Sequence, residues 1–360
     1  MHAVIAERLQ AHRNKHLFRE RKIKPQGLCF ASNDYLGLAQ DPQMIHAFCE
    51  GAYHYGIGAT GSALVSGYSR AHRSLESAFA EHMQRDRAIL FSNGYMANAA
   101  ILQALLTKQD TVFQDKLNHA SLLDGAKLAG ATLKRYRHLD TAHLTEQLQS
   151  STAQQKVIVS DHVFSMGGDI ASIPDLINSA TQHQATLIID DAHGFGVIDF
   201  PYSQNDVPVL ICPLGKAFGG SGALVAGSHA LIEAIIQFAR PYIFSTALSP
   251  ALAHALHQAL KIIQSESWRR EKLLSNIAYF TETAHAMDLP FLPSTTGIHM
   301  LIIGDNLKAQ AISEALLKRR IFVRAIRPPS VPQAALRITL SCRHEFQEIH
   351  FLLREIKQLL

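Results

Sequence analysis

Residues 185–196 read ATLIIDDAHGFG, a short apolar run that stops at two aspartates, a histidine and glycines. Leu187, Ile188 and Ile189 in succession suit a strand buried on both faces, as in a parallel sheet covered by helices; a half-exposed strand would alternate. Ligands of open parallel sheets lie beyond the carboxyl ends of the strands. Asp190, Asp191 and His193 are therefore delivered where chemistry is expected.

The same grammar repeats on either side. Strand-like text at 88–92 (AILFS), 110–115 (DTVFQD), 131–137 (ATLKRYR), 156–161 (KVIVSD), 207–212 (VPVLIC) and 222–228 (GALVAGS) alternates with helical spacing at 94–106, 119–130, from Thr141, and around 173–184. After Pro250 the spacing predicts a long helical stretch through Met287. The last seventy or so residues read as a small α+β unit: GIHMLIIG at 297–304, a helix at 308–320, IFVRAI, ALRITLS and a terminal helix from Glu345. The fold class expected is α/β, a large mostly parallel-sheet domain with a small C-terminal α+β domain. The expected boundaries are a segment at 1–45, the large domain at 46–265, and the connecting helix with the small domain at 266–360.

GIGATG at 56–61 matches the Gly-x-Gly-x-x-Gly dinucleotide pattern. That pattern requires a buried strand before it and a helix after it. Here the preceding residues put Met44, Ile45, Ala47, Phe48 and Ala52 at helical spacing, so no dinucleotide site is expected and the glycines need another reason.

Composition narrows the class. The chain has 360 residues, is 47% hydrophobic and 18% charged, and carries a formal charge of +4. This describes a globular protein with a substantial core and no general case for nucleic acid. No apolar run approaches a membrane span and no secretory leader is evident, so a cytoplasmic protein is expected, with no membrane. Cys29, Cys49, Cys212 and Cys342 are scattered, as reduced core thiols would be. No histidine spacing suggests a metal site. Residues 13–24, RNKHLFRERKIK, are strongly basic; they read as a solvated helix end or as a dock for an anionic substrate or acidic partner.

Unusual polar residues gather at the strand ends. Lys216 lies in a glycine-rich loop beyond one strand, Asp161 and Ser165 follow another, and Asn118 and His119 a third. Pyridoxal phosphate catalysis uses this set: a lysine amine that joins the aldehyde, a carboxylate that keeps the ring nitrogen protonated, a ring stacked on its face, and a helix N-terminus for the phosphate. SNGYMANAA at 92–100 offers that N-terminus.

Nine motifs run in order through most of the chain: SNDYLGLAQDP, GIGATGSALVSGYSRAHRSLE, SNGYMANAA, NHASLLDGAKL, VFSMGGDIA, DDAHGFGV, GKAFGGSGA, FARPYIFSTALSP and AIRPPSVP. Together they resemble the α-oxoamine synthases, fold-type I pyridoxal phosphate enzymes, and SGYSRAH and IRPPSVP are most similar to the biotin-pathway branch. The resemblance implies a decarboxylative condensation of L-alanine with a pimeloyl thioester, carried on acyl carrier protein or coenzyme A. It implies that Lys216 anchors the cofactor and moves protons at the substrate α-carbon. Asp190 would pair with the ring nitrogen, His193 with the ring hydroxyl, and His119 would stack on the ring. Ser165 would add a polar contact, Gly94 and Tyr95 would meet the phosphate, and Thr246 would reach the phosphate of a neighbouring subunit, making a homodimer with shared active sites. Arg337, with Asn33, would take the amino-acid carboxylate; Arg19 and Ser330 would contact substrate; Ser62 would face the acyl chain from a glycine loop at the mouth.

Three features depart from the family. Pro213 stands where a Thr or Ser hydroxyl usually contacts the phosphate, the stretch from His193 to Lys216 is short, and Asp161 replaces a usual Glu. One hydrogen bond to a charged group contributes about 1.5–3 kcal/mol, so weaker cofactor binding is expected. Two alternatives stay open on the sequence: a sibling synthase using glycine or serine, and a cofactor-binding protein without turnover.

Overall fold

The computed structural model describes residues 1–15, 17–21, 23 and 25–360. The chain divides into two compact units. One holds Leu36–Phe164 and Ile170–Arg270; the other holds Met1–Tyr35, Ser165–Asp169 and Glu271–Leu360.

The larger unit is built on seven strands: β1 (Arg87–Phe91), β2 (Thr111–Asp115), β3 (Thr132–Tyr136), β4 (Lys156–Asp161), β5 (Thr186–Asp190), β6 (Val209–Pro213) and β7 (Ala223–Gly227), in the order β1-β7-β6-β5-β4-β2-β3. β2 to β6 run parallel, and β7 lies antiparallel to both neighbours. Val112, Val157, Val159, Ile188, Ile211 and Val225 join one core with Ala97, Ala100 and Ile101 of the Gly94–Leu105 helix. Burial on both faces is why these strands read as unbroken apolar runs.

GIGATG follows a helix, as expected: Pro42–Tyr55 is capped by Asp41, whose side chain accepts from the Gln43 N–H at 2.9 Å. Met44, Ala47 and Gly51 face inward, while Ile45 and Phe48 stay exposed. Of the GIGATG glycines, Gly61 packs closely against the chain at Ser66 and Gly67, while Gly56 and Gly58 face open space. A Cβ on Gly67 would lie 2.1 Å from the Gly61 carbonyl oxygen, and one on Gly61 2.3 Å from Ser66 Oγ. The Ala247 N–H donates to the Gly61 carbonyl at 3.0 Å, closing the loop against the chain near Thr246.

In the smaller unit β8 (Ile298–Gly304), β9 (Arg324–Ile326) and β10 (Ala334–Thr339) form an antiparallel sheet in the order β9-β10-β8. The expected single strand IFVRAI is split: Ile321–Phe322 pairs with Leu28–Cys29, and only Arg324–Ile326 joins β10. One run serves two ladders because Leu28–Cys29 supplies a second partner edge. The stretch after Pro250 also divides, into Pro250–Ser265 and Ser267–Ala286, at Glu266, whose backbone leaves the helical region. The Glu266 carboxylate there accepts from Arg269 Nε at 2.8 Å and Trp268 Nε1 at 3.2 Å. None of the helix His2–Asn14 is buried.

His299 on β8 is buried, stacks on Phe280 with ring centroids 4.2 Å apart, and leaves Nε2 without a hydrogen-bond partner among the described residues. Burial pushes its imidazole down to about 4. The folded form therefore holds His299 neutral while the unfolded chain takes a proton near 6.5, so stability is present above that pH and lost as pH falls toward 4. At ~1.4 kcal/mol per unit this amounts to about 3 kcal/mol. His299→Phe is expected to flatten the fall in thermal midpoint between pH 6.5 and 4; an unchanged slope would contradict it.

Candidate active site

β4 and β5 run in parallel register with Asp161 beside Asp190, so two carboxylates end neighbouring strands. Both are buried. Asp190 Oδ1 accepts from the Ala192 N–H at 3.0 Å and Oδ2 from the Asn98 side-chain amide at 2.7 Å. Asp161 Oδ2 accepts from the His119 backbone N–H at 2.9 Å, and the Asp161 N–H donates to Asn118 Oδ1 at 3.2 Å. Burial and the charge of Asp190 push the Asp161 carboxyl well above its ordinary range, while the His119 N–H and Lys216 pull the other way.

Lys216 lies in the turn between β6 and β7, where the Gly219 N–H donates to its carbonyl at 2.8 Å and the Leu214 N–H donates to that of Gly222 at 2.9 Å. Lys216 is half-buried; packing lowers the affinity of the His119 imidazole for a proton, Asp190 raises it, and the charge of Lys216 lowers it. His193 follows three residues after Asp190 and is buried.

The Gly94–Leu105 helix opens beside this group. Asn93 caps it, accepting from the Met96 N–H at 2.8 Å, which leaves the first backbone N–H groups, those of Gly94 and Tyr95, without intrahelical acceptors. The Pro213 ring packs on Gly94 so closely that a Cβ there would lie 2.8 Å from Pro213 Cγ. Tyr95 donates its hydroxyl to Asp124 and meets His119 edge-on at 6.4 Å. Ser62 and Thr246 bridge as antiparallel partners.

The remaining candidates belong to the smaller unit. Arg337 on β10 is buried; its Nε donates to the Ser165 carbonyl at 2.7 Å and its Nη2 to Asn33 Oδ1 at 3.1 Å. Tyr35 lies beside it, its phenol pushed up by burial and drawn down by the guanidinium. Among the described residues no carboxylate pairs with Arg337. Arg19 Nη2 reaches Ser330 Oγ at 3.5 Å, and both line a cavity of about 280 Å³ together with Arg324 and Arg327. A second cavity of about 630 Å³ shares Arg324 and Arg327 and adds Arg13 and Phe18. Of the basic segment, Lys22 and Lys24 lie outside the described residues.

Three residues in this region escape a reading by motif. Asn98 donates to Asp190 and, at 2.8 Å, to Ser121 Oγ, which lies 2.7 Å from His119 Nδ1. His162 Nδ1 lies 2.6 Å from Asp191 Oδ1 in a buried pair. Burial raises the Asp191 carboxyl and His162 lowers it. Asn98 is signalled by position, a polar residue one turn beyond Gly94 among the helix's buried alanines.

The residues present fit pyridoxal phosphate. Asp190 is a buried carboxylate with two neutral donors, which a protonated ring nitrogen would complement. The helix start offers N–H groups to a phosphate, and His119, packed against Ser121 and Tyr95 yet still exposed in part, offers a ring face for stacking.

Comparison with known proteins agrees. The Aminotransferase class I and II family matches residues 25–356. The 8-amino-7-oxononanoate synthase of Saccharophagus degradans is 48% identical over 344 residues, covering 92% of this chain and 87% of that protein. The one from Alcanivorax borkumensis is 46% identical over 376 residues, covering 98% and 97%. Among solved structures, 8-amino-7-oxononanoate synthase from Francisella tularensis superposes with a TM-score of 0.81 at 33% identity, covering 92% of this chain and 97% of that one. Sphingomonas wittichii serine palmitoyltransferase superposes with a TM-score of 0.90 at 25% identity, covering 99% and 96%. The strand ends, the cofactor they suit and these relatives converge: the chain belongs to the 8-amino-7-oxononanoate synthase family, pyridoxal phosphate enzymes of the aminotransferase class I and II fold.

Proposed function

We propose that the chain condenses L-alanine with a pimeloyl thioester, releasing carbon dioxide and the thiol carrier and forming 8-amino-7-oxononanoate. The observation that carries this reading is the buried Asp190, held by Asn98 and Ala192, in a group of charges that includes Lys216. Pyridoxal phosphate, when bound, supplies a sink for the electron pair left at the amino acid's α-carbon. Asp190 would keep the ring nitrogen protonated, His193 would hold the ring hydroxyl and His119 would cover the ring face, with Ser165 as a further polar contact. The Gly94 and Tyr95 N–H groups would take the phosphate. The Lys216 amine would anchor the cofactor and then move the proton at the α-carbon.

Arg337 suits the alanine carboxylate, with Asn33 orienting it. A buried guanidinium bonded only to neutral oxygens is costly, and a ligand carboxylate would offset that cost. The arginines around Arg19 and Ser330 suit an anionic carrier. Acyl carrier protein is acidic, so charge would draw it to Arg13, Arg19 and Arg21. The loop that joins Ser62 to Thr246 exposes Ile57, Leu64 and Val65, and Phe244 nearby is also exposed. A second copy of the chain would cover such a surface, and Thr246 would then reach the neighbour's phosphate in a homodimer. A second reading, a sibling synthase using serine, draws on the serine palmitoyltransferase superposition; thiol release assayed with alanine, glycine and serine in turn separates the two.

Lys216→Ala is expected to lower turnover by about 10²–10⁴-fold, the range for losing a positioned proton-transfer group. Borohydride should label Lys216 in wild-type protein saturated with the coenzyme, and an unlabelled Lys216 would sink the reading. Pro213→Ser, which brings a hydroxyl to the N-terminus of the Gly94–Leu105 helix, should tighten coenzyme binding by roughly tenfold or more, measured by fluorescence titration. Reversing Arg13, Arg19 and Arg21 to Glu should raise KM for a carrier-protein thioester by roughly tenfold at low salt, with less effect on a coenzyme A thioester. Equal effects on both would dismiss the carrier dock.

A further inference from the structure

The hydrogens around His119 can be placed one by one. Asn98 is buried at the first turns of its helix, and its side-chain nitrogen has two acceptors, Asp190 Oδ2 at 2.7 Å and Ser121 Oγ at 2.8 Å. The amide cannot be turned round, because its oxygen would then face a carboxylate that only accepts. Both amide hydrogens are therefore committed, one to the carboxylate and one to the serine.

Ser121 is fully buried. Its oxygen accepts from Asn98, so its own hydrogen points elsewhere, and His119 Nδ1 lies 2.7 Å away. The Ser121 backbone N–H also donates to Nδ1, at 3.4 Å, as part of the cap that starts the Ala120–Ala129 helix. A nitrogen that accepts from a backbone N–H has a lone pair and no proton. With the Ser121 N–H and hydroxyl both aimed at Nδ1, the arrangement favours a neutral imidazole whose hydrogen is on Nε2.

We propose that Asn98 and Ser121 are positioning residues that hold His119 in this one tautomer and tie it to Asp190 through an unbroken chain of hydrogen bonds that runs outward from Asn98, to the carboxylate on one side and through Ser121 to the imidazole on the other. The chain rests on the cofactor reading above for its use, since Asp190 and His119 are the groups that would meet the ring's nitrogen and its face. Its consequence is that the two are set together. Asn98 fixes the carboxylate with one hydrogen and, through Ser121, the imidazole with the other. His119 is left as a donor through Nε2, with no acceptor nitrogen free. The charged groups around it are Asp190, Asp161 and Lys216, and Tyr95 lies edge-on. Burial and Lys216 both favour the neutral ring.

Protein labelled with ¹⁵N at the histidine ring tests this by NMR, with and without bound coenzyme, using His119→Gln to assign the signal. The expected result is an unprotonated Nδ1 and a protonated Nε2 at neutral pH in both forms; a proton on Nδ1 overturns the proposal. Ser121→Ala should raise the midpoint at which His119 takes up a proton and lower kcat/KM by about tenfold, and Ser121→Thr, which keeps the hydroxyl, should restore both. Asn98→Leu should weaken coenzyme binding by about tenfold to a hundredfold, as expected for a lost hydrogen bond to a charged group. If Ser121→Ala leaves the midpoint and kcat/KM unmoved, the chain positions nothing. The cofactor reading fails separately, through an unlabelled Lys216 after borohydride, which leaves the tautomer measurement untouched.

Discussion

Carboxylates crowd at the ends of two neighbouring strands, and the larger unit's chemistry follows from how that crowding is relieved. Asp161 and Asp190 stand side by side because β4 and β5 are parallel and in register. Asp191 stands one residue further on, and all three are buried. Buried like charges at this spacing cannot all remain ionised without cations or donors. Each carboxylate has its own relief: a backbone N–H of His119 for Asp161, the Asn98 amide for Asp190, and the His162 imidazole for Asp191. Asp190, held by the Asn98 amide and the Ala192 N–H, is the carboxylate that a protonated heteroaromatic ring would suit.

The parallel sheet makes that arrangement possible. Parallel strands bring their carboxyl ends to one edge, so residues distant in sequence meet there without long excursions. The antiparallel β7 has a different use: a short glycine-bearing turn from β6 into β7 presents Lys216 at that same edge. At the neighbouring β1, the chain leaves into the helix whose first N–H groups are uncommitted. Pro213 closes β6 against Gly94, so the lysine turn and the helix start are packed as one piece.

Within the smaller unit the logic is the reverse. A cation is buried: Arg337, opposite Met300 and Arg324 in the sheet, is bonded to a backbone carbonyl and an asparagine oxygen. Among the described residues no carboxylate pairs with this guanidinium, so its charge is left for a ligand to match.

The sequence by itself determined the strand-and-helix alternation, because burial on both faces leaves unbroken apolar runs and the polar residues that end them are conspicuous. It also argued against the dinucleotide reading of residues 56–61, since the helix before them is written in its 3.6 spacing, and nine ordered motifs made the family legible. Only the tertiary structure decided that Ile321–Ile326 splits between two ladders, because a partner edge near residue 28 is invisible to local periodicity. Only the fold, likewise, joined Asn98 to Asp190, Ser121 to His119 and His162 to Asp191. Hydrogen-bond direction depends on which atoms converge in space, and residues 92 positions apart in the chain carry no mark of having met.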